Sequence, residues 1–343
     1  MNISLYRRNK NVIILVAPKE DTLFTGEIEY YMKLLYAIQK KGGTGYILPI
    51  SKSNQSFGFQ WNEEANYWMK VKCPKPSFVY NRYPYRRKEK EEFFQSYLSW
   101  LNKEGIPYFN HCFFNKVSIW KLVLQHQQLK IHFPQTDLLR TKKDLHSFLE
   151  ACPTTFLKES SGSQGHGIWK IERHANKYTL YSQEKTFSSL SYAKLANLLK
   201  PIIQKENTLM QKGLTFPKID DNPYDYRVLM LYCENEWHVV GIGIRHAAHG
   251  GFTTHVPQGG QMLSMDDITV RPQLKQVLHV GNLIGTMLQE EYIHIKEFSF
   301  DFALDYSHHF WILDINSKPM SFDEQKIQKR RIILLTKIFM EEG

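Results

Sequence analysis

The sequence has few cysteines and no long apolar run, and both absences narrow the kind of protein it can be. Four cysteines stand among 343 residues and no two form a Cys-x-x-Cys pair. This argues against a disulfide framework or a zinc site and predicts reduced thiols in a cytoplasmic protein. No stretch of about 18 apolar residues occurs, so we expect no membrane span. The polar and basic start of the chain predicts no secretory signal peptide. We find no internal repeat.

What the sequence does contain is typical of a folded protein with a basic surface. Apolar residues make up 42% of the chain and aromatic residues 14%, which favours packed cores over disorder. The length suits one large domain or roughly two to three small ones. The formal net charge of +10 permits binding to polyanions or acidic substrates. The densest basic cluster, Arg82 to Lys90, is predicted to be a solvated helix start, with nucleic-acid binding as the less favoured alternative.

The first third of the chain alternates between strand and helix patterns. The predicted elements are strands at 12–18, 45–50, 78–81 and 106–110, helices at 28–38 and 89–103, and a polar loop at 51–64. Because strands alternate with helices, the pattern predicts a parallel sheet in a small open α/β domain over about the first 112 residues.

The remainder mixes helices with strands that follow one another directly. We predict helices at 115–129, 141–151, 191–199, 273–290 and 323–342, and strands at 154–158, 167–172, 177–181, 227–232 and 237–245. The last helix is amphipathic, and its basic residues from Lys326 to Arg331 are predicted to form a solvated face.

Near the C-terminus two strand-like runs flank a short turn, with apolar residues alternating along each run. We expect Asp305 to pair with Phe310 across this turn. That register places Asp301 opposite Asp314, with Asn316 on the same face. Oxygen ligands of this kind suit Mg²⁺ shared with phosphates, so the hairpin is a candidate metal site. The alternative is a plain hairpin whose aspartates lie in turns and on a solvated face.

A second stretch, between two predicted strands, is rich in small residues. They include Ser161, Gly162, Ser163, Gly165 and Gly167. Glycine permits a close approach of the backbone, so such a loop can turn N–H groups toward phosphates, and Lys158 just before it adds a positive charge. A strand rather than a helix follows, so this is neither a Walker loop nor a dinucleotide fingerprint. The alternative is a glycine-rich hairpin.

Two arginines, Arg227 and Arg245, lie in apolar strand contexts. A charge in such a position needs an anionic partner. That partner is either a bound anion or an acid of the chain, such as Asp225. The pair Gly259 and Gly260 either presents N–H groups to an anion or makes a turn.

Taken in order, these segments resemble the ATP-grasp superfamily, and within it the YheC/YheD branch of endospore coat-associated proteins. The resemblance runs from about residue 75 to residue 320. It rests on the order of Tyr80-Asn-Arg82, Asn115-Lys116…Lys121, the lysine–glycine loop, Asp225-Tyr-Arg227, Arg245, Gly259-Gly260, Asp301 and Asp314-x-Asn316-x-Lys318-Pro319.

The resemblance implies an ATP-grasp fold of mixed α/β and α+β class, with two α+β subdomains enclosing the nucleotide. The implied divisions are an N-terminal pre-ATP-grasp domain (1–112), a lid subdomain with the glycine-rich loop (113–210) and a C-terminal subdomain with the metal site (211–343).

Roles for individual residues follow from the same resemblance. The resemblance implies that Lys116 or Lys121, Lys158 and the glycine loop contact the phosphates. It also implies that Gln211, Lys212 and Gly213 lie beside the adenine. Mg²⁺ ligation falls to Asp301, Asp314 and Asn316. Arg227, Arg245 and Gly260 are implied to bind the transferring phosphate and the substrate carboxylate.

The implied reaction is ligation driven by ATP and Mg²⁺. The γ-phosphate activates a carboxylate as an acylphosphate, which an amine or similar nucleophile attacks, with release of ADP and phosphate. Positioning and charge neutralisation carry most of such a catalysis, so no side-chain nucleophile is needed. The implied substrates are small molecules or peptides, and spore-coat proteins are the implied partners at the endospore coat.

Three positions depart from the family pattern. Asp314 stands where Glu is usual, Glu159 follows Lys158 where proline is common, and His255 occupies a position where related ligases often carry Asn. These departures leave an alternative open: a weakened or inactive ATP-grasp scaffold associated with the endospore coat.

Overall fold

The structure, a computed structural model, describes residues 10–160, 162, 167–205, 207–254, 260–268 and 270–341. Three β-sheets succeed one another along this part of the chain, each packed against helices. Within the described ranges, no helix combines the length and apolar character needed to cross a membrane.

The first sheet is built from the predicted alternation of strands and helices. Its elements are β1 (Asn11–Val16), α1 (Ile28–Lys40), β2 (Thr44–Pro49), β3 (Phe57–Asn62), β4 (Tyr67–Lys72), β5 (Phe78–Asn81), α2 (Glu92–Lys103) and β6 (Tyr108–Phe109). The strand order is β4-β3-β2-β1-β5-β6, and β1, β2, β5 and β6 are parallel. Alternate residues of β1 face opposite sides, so Val12 packs with α1 while Ile13 packs with α2.

The predicted polar loop at 51–64 is wrong in its second half, which forms β3. This strand pairs with β2 at Ile47 and Phe59, and with β4 over its whole length. Phe59, Trp61 and Trp68 pack against the core between the sheet and α1. The strand was missed because glycine and polar residues alternate with its aromatic ones, and burial of one face alone stabilises it.

The second sheet follows two short helices. The elements in this part are α3 (Lys116–Gln125), α4 (Gln127–Lys130), β7 (Thr136–Leu139), α5 (Lys142–Ala151), β8 (Thr154–Glu159), β9 (Ile168–His174), β10 (Lys177–Tyr181), β11 (Thr186–Leu190), α6 (Tyr192–Leu198), α7 (Lys200–Ile203) and β12 (Thr208–Lys212). The strand order is β11-β10-β9-β8-β12-β7, with α5, α6 and α7 over one face. Asn115 caps α3, accepting hydrogen bonds from the N–H groups of Val117 and Ser118.

The third sheet contains both of the apolar arginine strands and the acidic hairpin. Its elements are β13 (Lys218–Ile219), β14 (Asn222–Cys233), β15 (Glu236–His246), β16 (Gln261–Leu263), α8 (Leu274–Glu291), β17 (Glu297–Leu304) and β18 (Phe310–Ser317), followed by α9 (Gln325–Glu341). The order is β16-β15-β14-β17-β18, with β13 beside the start of β14. One face packs on α3, α4 and α8.

The register of the hairpin formed by β17 and β18 is the feature on which the site depends. Asp301 lies opposite Asp314, as predicted. The predicted pairing of Asp305 with Phe310 is wrong, because Phe310 pairs one residue earlier, with Leu304. A bulge in β18 compensates for this offset and restores the predicted register at the two aspartates.

Asp305 organises the tip of this hairpin. Its carboxylate accepts hydrogen bonds from the N–H groups of Ser307 and His309, both at 2.9 Å, and from the Trp311 indole at 2.8 Å. Burial alone would raise the pKa of Asp305, but these hydrogen bonds outweigh it and lower the pKa to about 2.

Replacing Asp305 by alanine should therefore lower the free energy of unfolding by about 1 to 2 kcal/mol, because several donors lose their acceptor at once. Urea titration at neutral pH measures this change. Since the pKa is depressed in the folded state, the contribution is present above pH 3.8, the ordinary value, and is lost as the pH falls toward 2. Tyr306→Ala at the exposed tip is the control, and an equal loss in both variants would contradict the role given to Asp305.

The last helix, α9, lies between the first and third sheets. Its residues Leu335, Ile338 and Phe339 pack with β1 and β5 on one side and with β14 and β15 on the other. The predicted solvated basic face is wrong at Arg331, which is completely buried and paired with Glu297 at 2.6 Å. The sequence does not reveal this partner because it lies on another element.

The sheets group the chain in a way that bears on the predicted subdomains. The strand β12 belongs to the second sheet, whereas α3 and α4 pack on the third sheet. The proposed divisions at 112 and 210 stay predictions. The helices α3 and α4 follow the first boundary, and β12 spans the second.

Candidate functional site

A cleft of about 480 Å³ opens where the first and third sheets meet. Its walls come from the loops after β1 and β5, the start of α3, the strands β14, β15, β17 and β18, and the segment 317–324. The loops at the carboxyl ends of parallel strands are where open α/β sheets bind ligands. Seven of the predicted site residues line the cleft: Lys116, Gly162, Arg227, Arg245, Asp301, Asp314 and Asn316.

The three predicted metal ligands share one wall of this cleft. Asp301 is 3% exposed, and its Oδ1 atom has no hydrogen-bond partner among the described residues. Asp314 lies directly opposite it, and Asn316 lies two residues further along β18. No group of three or more His, Cys, Asp or Glu able to hold a metal occurs in the described ranges. A cation here would thus need the Asn316 amide and oxygens of a bound ligand, which is the way Mg²⁺ is commonly held.

Arg245 is fully engaged with acids of the chain. Its guanidinium makes two hydrogen bonds of 2.9 Å to Asp225, and its Nη2 atom lies 3.0 Å from Asp301. Thr254 donates a further hydrogen bond to Asp225. Burial disfavours the charge on Arg245, but the two aspartates outweigh it and hold its pKa above the ordinary value. The internal partner left open by the sequence is therefore present, and Arg245 fixes the position of Asp301.

Arg227 is held much more loosely. Its Nε atom lies 3.9 Å from Asp301 Oδ1 and has no hydrogen-bond acceptor among the described residues, although it is buried. The guanidinium lies over the Phe322 ring at 5.6 Å. Burial lowers its pKa, with Asp301 opposing that effect. A half-buried cation whose buried Nε donor has no acceptor can bind an anion in the cleft.

Two lysines approach the hairpin from the second sheet and from α3. Lys116 Nζ lies 2.5 Å from Asp314 Oδ2. Lys158 Nζ donates to the carbonyl oxygen of Leu313 at 3.0 Å. Leu313 is the bulged residue of β18, so the bulge that restores the register also turns a carbonyl toward this lysine. Burial lowers the pKa of Lys158 to about 8.

Other predicted site residues lie outside the cleft wall. Lys121 is exposed on α3. Gln211 is buried in β12 and donates to Thr136 at 3.2 Å, while Lys212 is exposed and Gly213 packs against Thr154. Ser161, Ser163 and Gly165 of the glycine loop lie outside the described residues, as do His255 and Gly259. Gly260 and Gly167 are described and do not line the cleft. The roles of all these residues stay predictions.

Sequence reasoning missed several residues that line the cleft. The cluster from Arg82 to Lys90 is not a solvated helix start throughout: the Arg82 side chain is 12% exposed and donates to the Pro319 carbonyl at 2.8 Å, and Arg86 is half-buried. Glu324 precedes α9 and also lines the cleft. Its Oε2 atom is buried and has no hydrogen-bond partner among the described residues, and burial raises the pKa of this carboxyl. Apart from the basic cluster itself, the sequence carries no signal for these positions.

The family model described as YheC/D-like ATP-grasp matches residues 105–340, more than half of the chain. The chain belongs to the YheC/D-like ATP-grasp family. Relatives include two endospore coat-associated proteins of Bacillus subtilis (strain 168). YheD is 25% identical over 311 residues, which cover 84% of this chain and 67% of YheD. YheC is 25% identical over 281 residues, which cover 76% of this chain and 75% of YheC. The family recognised from the sequence is confirmed.

Solved structures agree on the fold. The D-Ala:D-Ser ligase VanG from Enterococcus faecalis superposes with a TM-score of 0.60 at 11% identity, covering 97% of this chain and 99% of that one. This likeness shows the fold alone. The predicted ATP-grasp fold is confirmed, and at the coarse level this YheC/D-like chain has the architecture of ATP-dependent ligases.

Two of the three departures from the family pattern can be placed in this YheC/D-like structure. The negative charge of Glu159 is offset by Lys205, whose Nζ atom lies 2.6 Å away. Asp314 reaches the cleft despite its shorter side chain and contacts Lys116. The third, His255, lies outside the described residues.

Proposed function

We propose that this chain is an ATP- and Mg²⁺-dependent ligase that joins a carboxylate to an amine through an acylphosphate. The observation that carries the proposal is the register of β17 and β18, which brings Asp301, Asp314 and Asn316 into one cleft with Lys116 and Arg227. Two carboxylates and an amide oxygen in a cleft that also holds cations suit a metal shared with phosphate oxygens. The architecture shared with VanG supports a ligase reaction over other uses of ATP.

The donor set on the hairpin fits Mg²⁺. Asp301, Asp314 and Asn316 offer only hard oxygen ligands, and Asp301 Oδ1 lacks a partner among the described residues. When bound, the metal would neutralise charge on the phosphates. Arg245 would act as a positioning residue, because its donors already engage Asp225 and Asp301.

The contacts that each cation of the site already makes indicate which part of the phosphate chain it would bind. Lys116 and Lys158 would hold phosphate oxygens, and Lys158 is kept in place by the Leu313 carbonyl. Arg227 would bind the acylphosphate, since it lines the cleft and its Nε donor has no hydrogen-bond acceptor among the described residues. Charge that develops during phosphoryl transfer is thus met by fixed cations rather than by water.

The acceptor would enter from the side of the first sheet. The start of α1 supplies Tyr30 and Tyr31 to the cleft, the loop after β5 supplies Tyr83, and Phe322 also lines it. Tyr30 places a buried hydroxyl there with no hydrogen-bond partner among the described residues. Aromatic walls with single polar atoms are suited to a small molecule or peptide.

Calorimetric titration of ATP, with and without Mg²⁺, tests the proposal. Wild type should bind ATP in a Mg²⁺-dependent manner, and Asp314→Ala should remove that dependence because one of two carboxylate ligands is lost. Asp137→Ala, at an exposed position on β7, is the matched control and should behave as wild type. Binding in wild type then justifies a screen of carboxylate and amine pairs for ADP release. No binding in wild type would defeat the ligase proposal.

A second candidate is a scaffold that has the fold but no catalysis. It is favoured by the contacts that already neutralise both carboxylates, Lys116 on Asp314 and Arg245 on Asp301. This candidate can bind nucleotide without turning it over, and it expects no ADP release with any acceptor.

Because YheD and YheC are named endospore coat-associated, we also propose that the chain associates with the spore coat. Imaging a fluorescent fusion in sporulating Bacillus subtilis checks this, and a diffuse cell signal without a spore ring would contradict it.

A further inference from the structure

Arg86 differs from the other buried arginines of the described chain. Arg82, Arg227, Arg245 and Arg331 each have a carboxylate oxygen within 4.0 Å. Arg86 is half-buried, yet no carboxylate of the described residues lies within that distance. Burial lowers the pKa of Arg86, and among the charges that oppose this effect Asp314 acts most strongly, followed by Glu89. A guanidinium taken partly out of water without an acid beside it has an unmet need for an anion.

The position of Arg86 is fixed by contacts at the edge of the cleft. Nη1 donates to the carbonyl oxygen of Phe114 at 2.5 Å, and the guanidinium lies over the Phe113 ring at 5.1 Å. These are its only polar and ring contacts among the described residues. Phe114 precedes Asn115, the cap of α3, so this contact holds Arg86 near the start of that helix, and Arg86, Lys116 and Asp314 all line the same cleft.

We propose that Arg86 binds the terminal phosphoryl group of ATP and is the residue with which the first sheet completes the phosphoryl-transfer site. The inference rests on the proposed function. A phosphate joined through a cation to Asp314 would turn its outer oxygens toward Arg86, and a guanidinium can take two of them at once. The lysines and Arg227 belong to other elements, so Arg86 makes phosphoryl binding depend on the loop after β5.

The test compares two nucleotides that differ only at the end of the phosphate chain. Mg²⁺ with ADP and Mg²⁺ with a non-hydrolysable imido analogue of ATP are titrated calorimetrically into wild type, Arg86→Met and Arg87→Met. Arg87 is the neighbouring, exposed arginine of the same loop. We expect Arg86→Met to weaken the triphosphate analogue about 10- to 100-fold while ADP changes by less than about 3-fold, because one charge-assisted contact is lost at the terminal group only. Arg87→Met should match wild type for both.

The outcomes separate this inference from the proposed function. Wild type that binds neither nucleotide removes the proposed function and the inference with it. Wild type that binds both, with Arg86→Met unchanged or weakened equally for both, overturns the inference alone. The unchanged result would leave the acceptor carboxylate as the anion for Arg86. If Arg86→Met fails to fold, Arg86→Lys keeps the charge and should show the same difference between nucleotides in a smaller degree.

Discussion

Replacing Glu297 by glutamine should lower the free energy of unfolding by about 3 to 5 kcal/mol, because it leaves a buried guanidinium without a counter-charge. Glu297 and Arg331 are both completely buried. Arg331 donates to Oε1 of Glu297 at 2.8 and 2.6 Å, while Tyr80 and Asn110 donate to Oε2 at 2.8 and 3.0 Å. One carboxylate thus joins the first sheet, the third sheet and α9. Urea titration followed by tryptophan fluorescence measures the loss.

Two variants control for this effect. Glu290→Gln changes the same residue type at an exposed site on α8 and should alter stability by less than about 0.5 kcal/mol. The double replacement Glu297→Met with Arg331→Met should cost less than Glu297→Gln alone, since the completely buried guanidinium is removed together with its counter-charge, while Arg82 keeps the Pro319 carbonyl as an acceptor. A loss below about 1 kcal/mol in Glu297→Gln would show that water reaches the cluster and satisfies Arg331.

Replacing Lys116 by methionine should separate the observed contact of its ammonium with Asp314 from its proposed contact with phosphate. In the structure the ammonium sits on Asp314, the position that a metal would share. Without it, Mn²⁺ or Mg²⁺ alone should bind more tightly, by about 10-fold or more, because a competing cation is gone. The affinity for Mg²⁺ with ATP should fall by about 10- to 100-fold, because a charged phosphate contact is lost.

Lys121→Met is the matched control for this pair of opposite changes. It removes the same charge from α3 five residues further on, where the side chain is exposed, and both affinities should stay at the wild-type values. Free Mn²⁺ measured by electron paramagnetic resonance reports the first change and calorimetry the second. A parallel fall of both affinities in Lys116→Met would mean that Lys116 supports the hairpin rather than competing with the metal. An effect confined to Lys121→Met would assign the phosphate contact to the other lysine.

The acidic hairpin shows how a register could be predicted from sequence despite a wrong turn. The period-two alternation fixes which residues share a face, and burial of the aromatic face makes a slip of one residue costly. The tip is one residue longer on the β17 side than predicted, and the bulge at Leu313 cancels the difference. The prediction that Asp301 lies opposite Asp314 was therefore correct, while the predicted pairing of Asp305 with Phe310 was wrong.

The charges on the other side of the cleft could not be predicted in the same way. Whether Arg82, Arg86 or Arg331 is buried depends on partners such as Glu297, which lies more than two hundred residues from Tyr80 and Arg82 along the chain. A basic cluster and an amphipathic basic helix look like solvated surface until those partners are placed. The family resemblance helped most where short motifs carry chemistry, as at Asp301 and Asn316, and it included Tyr80-Asn-Arg82 of the first sheet without assigning these residues a role.

The place of α9 has a consequence for how the chain is made. The first sheet is finished by residue 109, but one of its faces is covered by Ile338 and Phe339. At ribosomal rates of synthesis the intervening stretch takes about 10 to 50 s to appear. During that interval α1 covers only part of this face of the nascent sheet, and Tyr80 lacks its Glu297 partner. Apolar surface that stays exposed in this way favours chaperone binding or premature association until α9 has been synthesised.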